Sequence, residues 1–275
     1  MENFKTKKSL GQNFLQDQNI INKIVTTANL SKNINVLEIG PGLGAITTLL
    51  IAQANQVLSV EIDQRLIEHL NKQYSQNNNF TLLNKDFLLT TKEDFSPILN
   101  KKIKMVANLP YYITTPIIIK VLLEYEFIEE IYIMIQKEVA QRFTSAYKNK
   151  SYGSISVFLQ SIADVKYEFT VKNTAFSPAP KIDSAIISLK RNNKFLEKVD
   201  FLQYEQFLKA CFKQKRKLLS NNLATSYKID KNLIIEFLLD LNYVKTIRPE
   251  EILVTEYLIL FQKFKEKFII REDFE

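Results

Sequence analysis

Across 275 residues there is no tryptophan, one cysteine, one histidine and five glycines, and each scarcity removes a class of chemistry. Cys211 stands alone, which excludes a disulfide framework and a cysteine-based zinc site. His69 is the only imidazole, so Ser/His/Asp and Cys/His catalysis fall away with nearly all histidine-ligated metal chemistry. No metal is expected. No apolar run approaches the ~20 residues of a membrane span. Met1 to Leu10 is basic and polar, without the apolar stretch of a signal peptide. These absences predict a soluble protein of a reducing compartment, hence cytoplasmic.

Positive charge is in modest excess. Lys and Arg number 37 against 30 acidic residues, a net charge of +7, with a pI near 9.2. That balance suits a nucleic-acid partner, but the Lys-, Asn- and Ile-rich composition of an AT-biased genome produces it equally well. The length fits roughly one to two domains.

Strand and helix patterns alternate through the first part of the chain, as in βαβ units. Strands are predicted at Val36–Ile39, Val57–Ile62, Phe80–Asn84, Ile103–Ala107 and Ile131–Ile135. Helices are predicted at Asn19–Ala28, Leu43–Ala54, Gln64–Lys72 (with Asp63 as N-cap), Thr115–Tyr125 and Val139–Ser145, and in the stretch after Gly153 to Ile162. Val165–Val171 and Ala185–Lys190 read as a closing hairpin of the sheet. Composition changes at Arg191-Asn192-Asn193, and beyond it Phe201–Phe212, Lys217–Thr225, Leu233–Leu241 and Thr255–Phe268 all carry helical spacing. The division expected is a catalytic α/β domain over 1–191 and a small all-α domain over 192–275.

The strand ends carry the chemistry. Glu38-Ile39-Gly40-Pro41-Gly42-Leu43-Gly44 follows the first strand and opens a helix, where glycines permit a tight turn and close approach of backbone to a ligand. The spacing is GxGxG, not the GxGxxG of dinucleotide folds. Glu61 ends the next strand about twenty residues on, where a carboxylate accepts from both ribose hydroxyls. Together they favour an adenosine-type cofactor, S-adenosylmethionine over NAD. Asp86 follows the third strand and is placed to accept from the adenine amine of that cofactor, though taken alone it reads as a loop or cap carboxylate.

Asn108-Leu109-Pro110-Tyr111 follows the fourth strand. Asn108 offers an amide oxygen to an amino group, and Pro110 has no N–H to donate. Tyr111 adds a flat ring on which a base can stack. An exocyclic amine held by acceptors beside an aromatic is poised for alkylation, which points to amino-directed methyl transfer on a nucleic acid. Phe176, in the loop Phe176-Ser177-Pro178-Ala179-Pro180, reads as a second wall or as an ordinary core aromatic under a surface turn. The block Lys213-Gln214-Lys215-Arg216-Lys217 and the basic residues of Lys5–Lys8 are candidates for phosphate contacts.

Several motifs occur in order: Gln12-Asn13-Phe14-Leu15, the Gly loop, Asn108 to Tyr111, Gln136-Lys137-Glu138-Val139-Ala140-x-Arg142 and Tyr152-Gly153-x-Ile155-Ser156-Val157. Ala175-Phe176-x-Pro178-x-Pro180-Lys181-Ile182-Asp183-Ser184, Phe212-x-x-Lys215-Arg216-Lys217-x-Leu219-x-Asn221-x-Leu223 and Arg248-Pro249-Glu250-Glu251 complete the series. The chain resembles the ribosomal RNA adenine N6-dimethyltransferases over nearly its whole length, and among them the KsgA (RsmA) small-subunit family. The resemblance implies a Rossmann-like S-adenosylmethionine-dependent methyltransferase sheet with a small helical domain that recognises RNA.

It further implies that Asn13, Leu15, Gly40, Glu61, Asp86 and Asn108 line the cofactor pocket, joined by Gly42 of the same loop. Asn108 and the Leu109 carbonyl would hold the target amine, with Tyr111 and Phe176 stacking on the adenine. Lys213, Lys215, Arg216 and Lys217 would meet RNA. Two positions depart from the family pattern: Tyr112 stands where Asn often follows the tyrosine, and Lys172 where Pro is common. The implied activity is dimethylation of two neighbouring adenosines near the 3′ end of small-subunit ribosomal RNA, by a monomer acting on a nearly assembled subunit. The rivals are an Erm-type enzyme of large-subunit RNA, and a non-catalytic assembly or organellar transcription factor that retains the fold.

Overall fold

The computed structural model describes residue 7, residues 11–192 and residues 199–269. Most of the Lys5–Lys8 cluster, and Asn193 of the expected linker, lie outside the described residues. The chain divides into two compact units, Met1–Ala140 with Lys166–Arg191, and Gln141–Val165 with Asn192–Glu275.

The first unit is a seven-stranded sheet with helices. Its strands are β2 (Ile34–Ile39), β3 (Val57–Glu61), β4 (Phe80–Asn84), β5 (Lys102–Asn108), β6 (Ile128–Gln136), β7 (Ala163–Val171) and β9 (Ser184–Arg191). They lie in the order β4-β3-β2-β5-β6-β9-β7. The pairs from β4 through β6 are parallel, and β9 runs antiparallel to β6. Two further strands, β1 (Phe14–Leu15) and β8 (Phe176–Ser177), form a separate antiparallel pair. Helices α1 (Gln18–Ala28), α2 (Thr47–Gln53), α3 (Gln64–Tyr74), α4 (Thr114–Glu124) and α5 (Lys137–Phe143) connect the strands.

Strands buried on both faces read as near-continuous apolar runs, and β2 shows why two polar residues are tolerated in one. Asn35 is fully buried and saturated: its Nδ2 donates to the Ile98 carbonyl (2.7 Å) and Asn100 Oδ1 (2.8 Å), and its Oδ1 accepts from Asn55 Nδ2. Glu38 is the other, and it belongs to the site. Strand order reverses between β2 and β5, and ligands of open α/β sheets bind at such a switch point, beyond the carboxyl ends of the strands.

Several expectations need correction. The helix expected from Leu43 starts at Thr47, because Gly40, Gly42 and Gly44 all adopt positive φ (67°, 60° and 84°) and hold the chain out of helical geometry. The 3₁₀ turns Phe87–Leu89 and Lys92–Ile98 and the β1–β8 pair were not expected; such short elements carry no periodicity to read.

The expected assignment of residues 141–165 to the catalytic domain also differs from the structure, which groups them, including the last turn of α5 and the first three residues of β7, with the helical unit. There α6 (Ser154–Ile162) packs on α7 (Phe201–Cys211) and α10 (Val254–Phe264). Val157, Phe158, Ser161 and Ile162 are buried, and the Ser161 hydroxyl lies 2.9 Å from that of Tyr204. Helices α8 (Leu219–Tyr227) and α9 (Lys231–Asp240) complete this unit. Its core is largely aromatic: the Phe264 ring centroid lies 5.2 Å from Phe207, 4.8 Å from Tyr227 and 5.8 Å from Phe237.

Candidate active site

A cleft opens at the carboxyl ends of β2, β3, β4 and β5. Asn13, Leu15, Gly40, Gly42, Glu61, Asp86, Asn108, Leu109 and Tyr111 all line it. A Cβ added to Gly40 would sit 3.6 Å from the Asn108 carbonyl oxygen, so the ends of β2 and β5 meet at the switch point.

The glycines of the β2–α2 loop leave space that side chains would take. A Cβ on Gly42 would lie 3.2 Å from the Phe14 ring, and one on Gly44 would lie 2.4 Å from the Tyr74 hydroxyl. That hydroxyl donates to the Gly44 carbonyl (2.9 Å) and meets the Thr48 hydroxyl (2.7 Å), so Tyr74 pins the loop from beneath. Gly44→Ala therefore meets both a steric block and a positive φ, the second worth about 1–3 kcal/mol alone. The expected result is a lowered urea midpoint and weakened S-adenosylmethionine binding by calorimetry. Unchanged values of both would contradict this account.

Glu38 ends in the cleft but is almost wholly buried. The hydroxyls of Thr47 (2.8 Å) and Ser59 (2.6 Å) donate to its carboxylate. Burial outweighs those bonds and, with the nearby Glu61 charge, pushes its pKa up to about 7. An acid whose folded pKa is raised keeps its proton in the native state while the unfolded chain loses it. Stability therefore falls as pH rises from about 4.5 to about 7, by roughly 3 kcal/mol, and is flat above. Comparing denaturant midpoints of the wild type and Glu38→Gln from pH 5 to 8 should show that slope only in the wild type.

Glu61 Oε1 accepts from the backbone N–H groups of Ile62 (2.8 Å) and Asp63 (2.9 Å). Burial raises its pKa against those donors and that of Gly42. Asp63 caps α3, as expected, and also gathers Gln12 Nε2 (2.8 Å) and Arg65 Nη2 (2.6 Å). The Arg65 bonds are the main reason its carboxyl lies well below the usual range. Gln12 thus ties the segment before β1 to the turn that carries Glu61. Asp86 caps the following 3₁₀ turn by accepting from the Leu88 N–H (2.9 Å), and it also lines the cleft.

At the end of β5, Asn108 Nδ2 donates to the Asn13 carbonyl at 3.4 Å, a bond that does not engage Oδ1. The turn is closed by the Pro110 carbonyl, which accepts from the Ile113 N–H (3.2 Å) and the Thr114 hydroxyl (3.1 Å). Tyr111 is half-buried in the wall, and its hydroxyl lies 2.7 Å from that of Ser184. Tyr112 follows it, 60 % exposed at the rim.

Phe176 is placed differently from the stacking wall expected of it. It is 5 % exposed, pairs with Leu15 across the β1–β8 ladder, and belongs to the core cluster of Leu15, Ile21, Val171 and Ala175. It does not appear among the residues that line the cleft. The reading as a core aromatic describes it better.

The basic block lies in the helical unit, in the loop between α7 and α8. Lys213, Arg216 and Lys217 are exposed, whereas Lys215 donates to the Lys150 carbonyl. Asn222 pins this loop through the Cys211 carbonyl (2.7 Å) and the Gln214 carbonyl (3.1 Å). Lys213 and Lys217 line a shallow concavity with Asn221, Thr225 and Lys231. Among the described residues no group of three or more His, Cys, Asp or Glu side chains could hold a metal ion. No helix among them is long and apolar enough to cross a membrane.

Gln12 and Glu38 line the cleft, and Ser184 meets Tyr111 from behind it; sequence reasoning gave none of the three a role. A buried acid two residues before the first loop glycine, Gly40, was a legible signal for Glu38. Gln12 and Ser184 act through partners distant in sequence, and nothing local marks them.

Comparison with known proteins follows this geometry. The family described as ribosomal RNA adenine dimethylase matches residues 3–260. A Mycoplasma mobile protein named ribosomal RNA small subunit methyltransferase A is 43% identical over 255 residues, covering 93% of this chain and 96% of that protein. The crystal structure of a dimethyladenosine transferase from Plasmodium falciparum superposes with a TM-score of 0.79 at 26% identity, covering 92% of this chain and 98% of that one. The 23S rRNA methyltransferase ErmE superposes with a TM-score of 0.65 at 29% identity, covering 91% and 99%.

Proposed function

The chain belongs to the ribosomal RNA adenine dimethylase family, and from that premise we propose that it transfers methyl groups from S-adenosylmethionine to the N6 amines of two adjacent adenosines near the 3′ end of 16S ribosomal RNA. The observation that carries this reading is the Asn108–Tyr111 turn opening into the same cleft as Gly40, Glu61 and Asp86. The higher identity to the small-subunit relative than to the 23S enzyme supports the choice of RNA. A cytoplasmic monomer acting on a pre-assembled small subunit, with no metal, completes the proposal.

The cleft fits the cofactor, because its glycines leave room for close backbone approach and its carboxylates face inward. Glu61 would hold the ribose, Asp86 the adenine amine, and Asn13, Leu15, Gly40 and Gly42 the remaining walls. S-adenosylmethionine supplies an electrophilic methyl group on a sulfonium.

This chain supplies position. The adenine amine is a poor nucleophile because its lone pair is delocalised into the ring. Acceptance of its hydrogens by Asn108 Oδ1 and the Leu109 carbonyl favours a pyramidal nitrogen and aims that lone pair. Alignment of this kind can contribute about 7–11 kcal/mol. The methylated ammonium is acidic enough to lose its proton to water, so a protein with one histidine can run this reaction. Unstacking the base costs a few kcal/mol, and stacking on Tyr111 returns about 1–3. Phe176 supports the pocket through Leu15 instead of touching the base.

The helical unit selects the RNA. Lys213, Arg216 and Lys217 contact phosphates, with Lys215 holding their loop. Lys217→Ala is expected to weaken subunit binding and to reduce the salt dependence of log K by about 0.7–0.9. An unchanged salt slope would remove Lys217 from the interface.

Incubation with labelled S-adenosylmethionine and unmethylated ribosomal subunits, followed by nucleoside analysis, tests the whole reading. N6-dimethyladenosine in the small subunit is expected. Label confined to the large subunit would move the chain to the Erm-type activity. Tight subunit binding without label would leave a non-catalytic assembly factor.

A further inference from the structure

Because β9 runs antiparallel to β6, its first residue reaches the edge at which the parallel strands end. Ser184 is that residue, in register with Gln136 at the end of β6. Its side chain is fully buried, and its hydroxyl lies 2.7 Å from the Tyr111 hydroxyl.

The backbone just before it is held firmly. The Asp183 carbonyl accepts from the Lys137 N–H (3.0 Å), and the Asp183 carboxylate accepts from the Asn173 N–H (3.1 Å) and Lys172 Nζ (3.0 Å). Tyr111, by contrast, sits in a turn outside helix and strand. Its ring is anchored at one end by that turn and at the other by a strand on the far side of β6. A ring fixed at both ends keeps its plane, and a stacked base requires a plane already in place.

We infer that Ser184 is a positioning residue of the target-base pocket, holding the Tyr111 ring at the angle on which adenine stacks. The inference rests on the proposed adenine-methylating reading of the cleft. It makes the Ser at the end of the Pro-rich loop part of the base site, although its own side chain touches no substrate. The same loop that packs Phe176 under Leu15 thereby reaches the base pocket a second time, through Ser184.

Steady-state methylation of unmethylated small subunits by Ser184→Ala, Tyr111→Phe and the double variant tests this, with calorimetric S-adenosylmethionine binding alongside. Each single change is expected to lower kcat/KM for RNA roughly three- to tenfold, the cost of immobilising one freed side chain. Cofactor affinity should stay at the wild-type value. The double variant should lose no more than either single one, because both remove the same bond.

Additive losses, or an equal fall in cofactor affinity, would overturn the assignment. So would wild-type kcat/KM in Ser184→Ala. If Ser184→Ala does not fold, Tyr111→Phe decides, since it removes the bond without emptying a buried position; undiminished activity there overturns the inference. Should the wild type label neither subunit, the adenine-methylating reading falls and takes this one with it. Should the wild type label the small subunit and the variants match it, only the role of Ser184 falls.

Discussion

Asn108→Ala is expected to lower kcat for adenine methylation by about 10²–10³, the usual cost of deleting a preorganised polar group at a reacting centre. In the proposed reaction Asn108 Oδ1 is the acceptor that sets the amine's lone pair, and the other side chains of the turn, Leu109, Pro110 and Tyr111, offer no amide oxygen to replace it. The protein should remain folded, because the side chain is half-buried and holds one long bond, 3.4 Å to the Asn13 carbonyl. That bond is worth about 1 kcal/mol at most. Asn108→Asp separates acceptance from orientation: it keeps an acceptor but turns an oxygen towards the Asn13 carbonyl. It should fall between the wild type and the alanine variant. Single-turnover methylation of unmethylated small subunits at saturating S-adenosylmethionine measures these steps, and a loss of tenfold or less in the alanine variant would remove Asn108 from its role.

Phe176→Ala and Tyr111→Ala should fail in different ways. Phe176 is 5 % exposed in the cluster beneath Leu15. Emptying that position costs about 3–5 kcal/mol, which corresponds to a fall in thermal midpoint of roughly 6–20 °C for a unit of this size. Because Leu15 pairs with Phe176 and lines the cleft, cofactor affinity should drop as well. Tyr111→Ala removes a half-buried ring from the wall, so RNA methylation should collapse while cofactor affinity and midpoint change little. Scanning calorimetry with cofactor titration distinguishes the two. A Phe176→Ala protein with a wild-type midpoint would return that ring to the base pocket.

The legible part of this molecule was the parallel half of the sheet and the polar residues at its strand ends. Gly40, Glu61, Asp86 and Asn108 each follow an apolar run, so local pattern alone sends them to one edge. What the pattern missed depends on chain segments that meet from far apart. Leu15 meets Phe176 through two-residue strands, too short to show alternation. Ser184 reaches Tyr111 only because β9 reverses direction beside β6. The helices read in residues 141–165 looked like part of the α/β domain, since a helix buried in a neighbouring unit has the same spacing as one packed on the sheet. Phe176 followed the family's expected role in the sequence reading, while its burial is decided by packing that no motif records.

The pairing of β1 with β8 has a consequence for synthesis. Phe14 and Leu15 leave the ribosome well ahead of their strand partners, Ser177 and Phe176, which follow more than 160 positions later. Contacts of such sequence separation form late, because the intervening loop must close first. A nascent chain halted after β6 already carries Gly40, Glu61, Asp86 and Asn108, yet Phe14 and Leu15 in its first wall still lack their strand partner. Competence to hold the methyl donor should therefore appear abruptly during translation, once residue 177 has emerged, and not accumulate strand by strand.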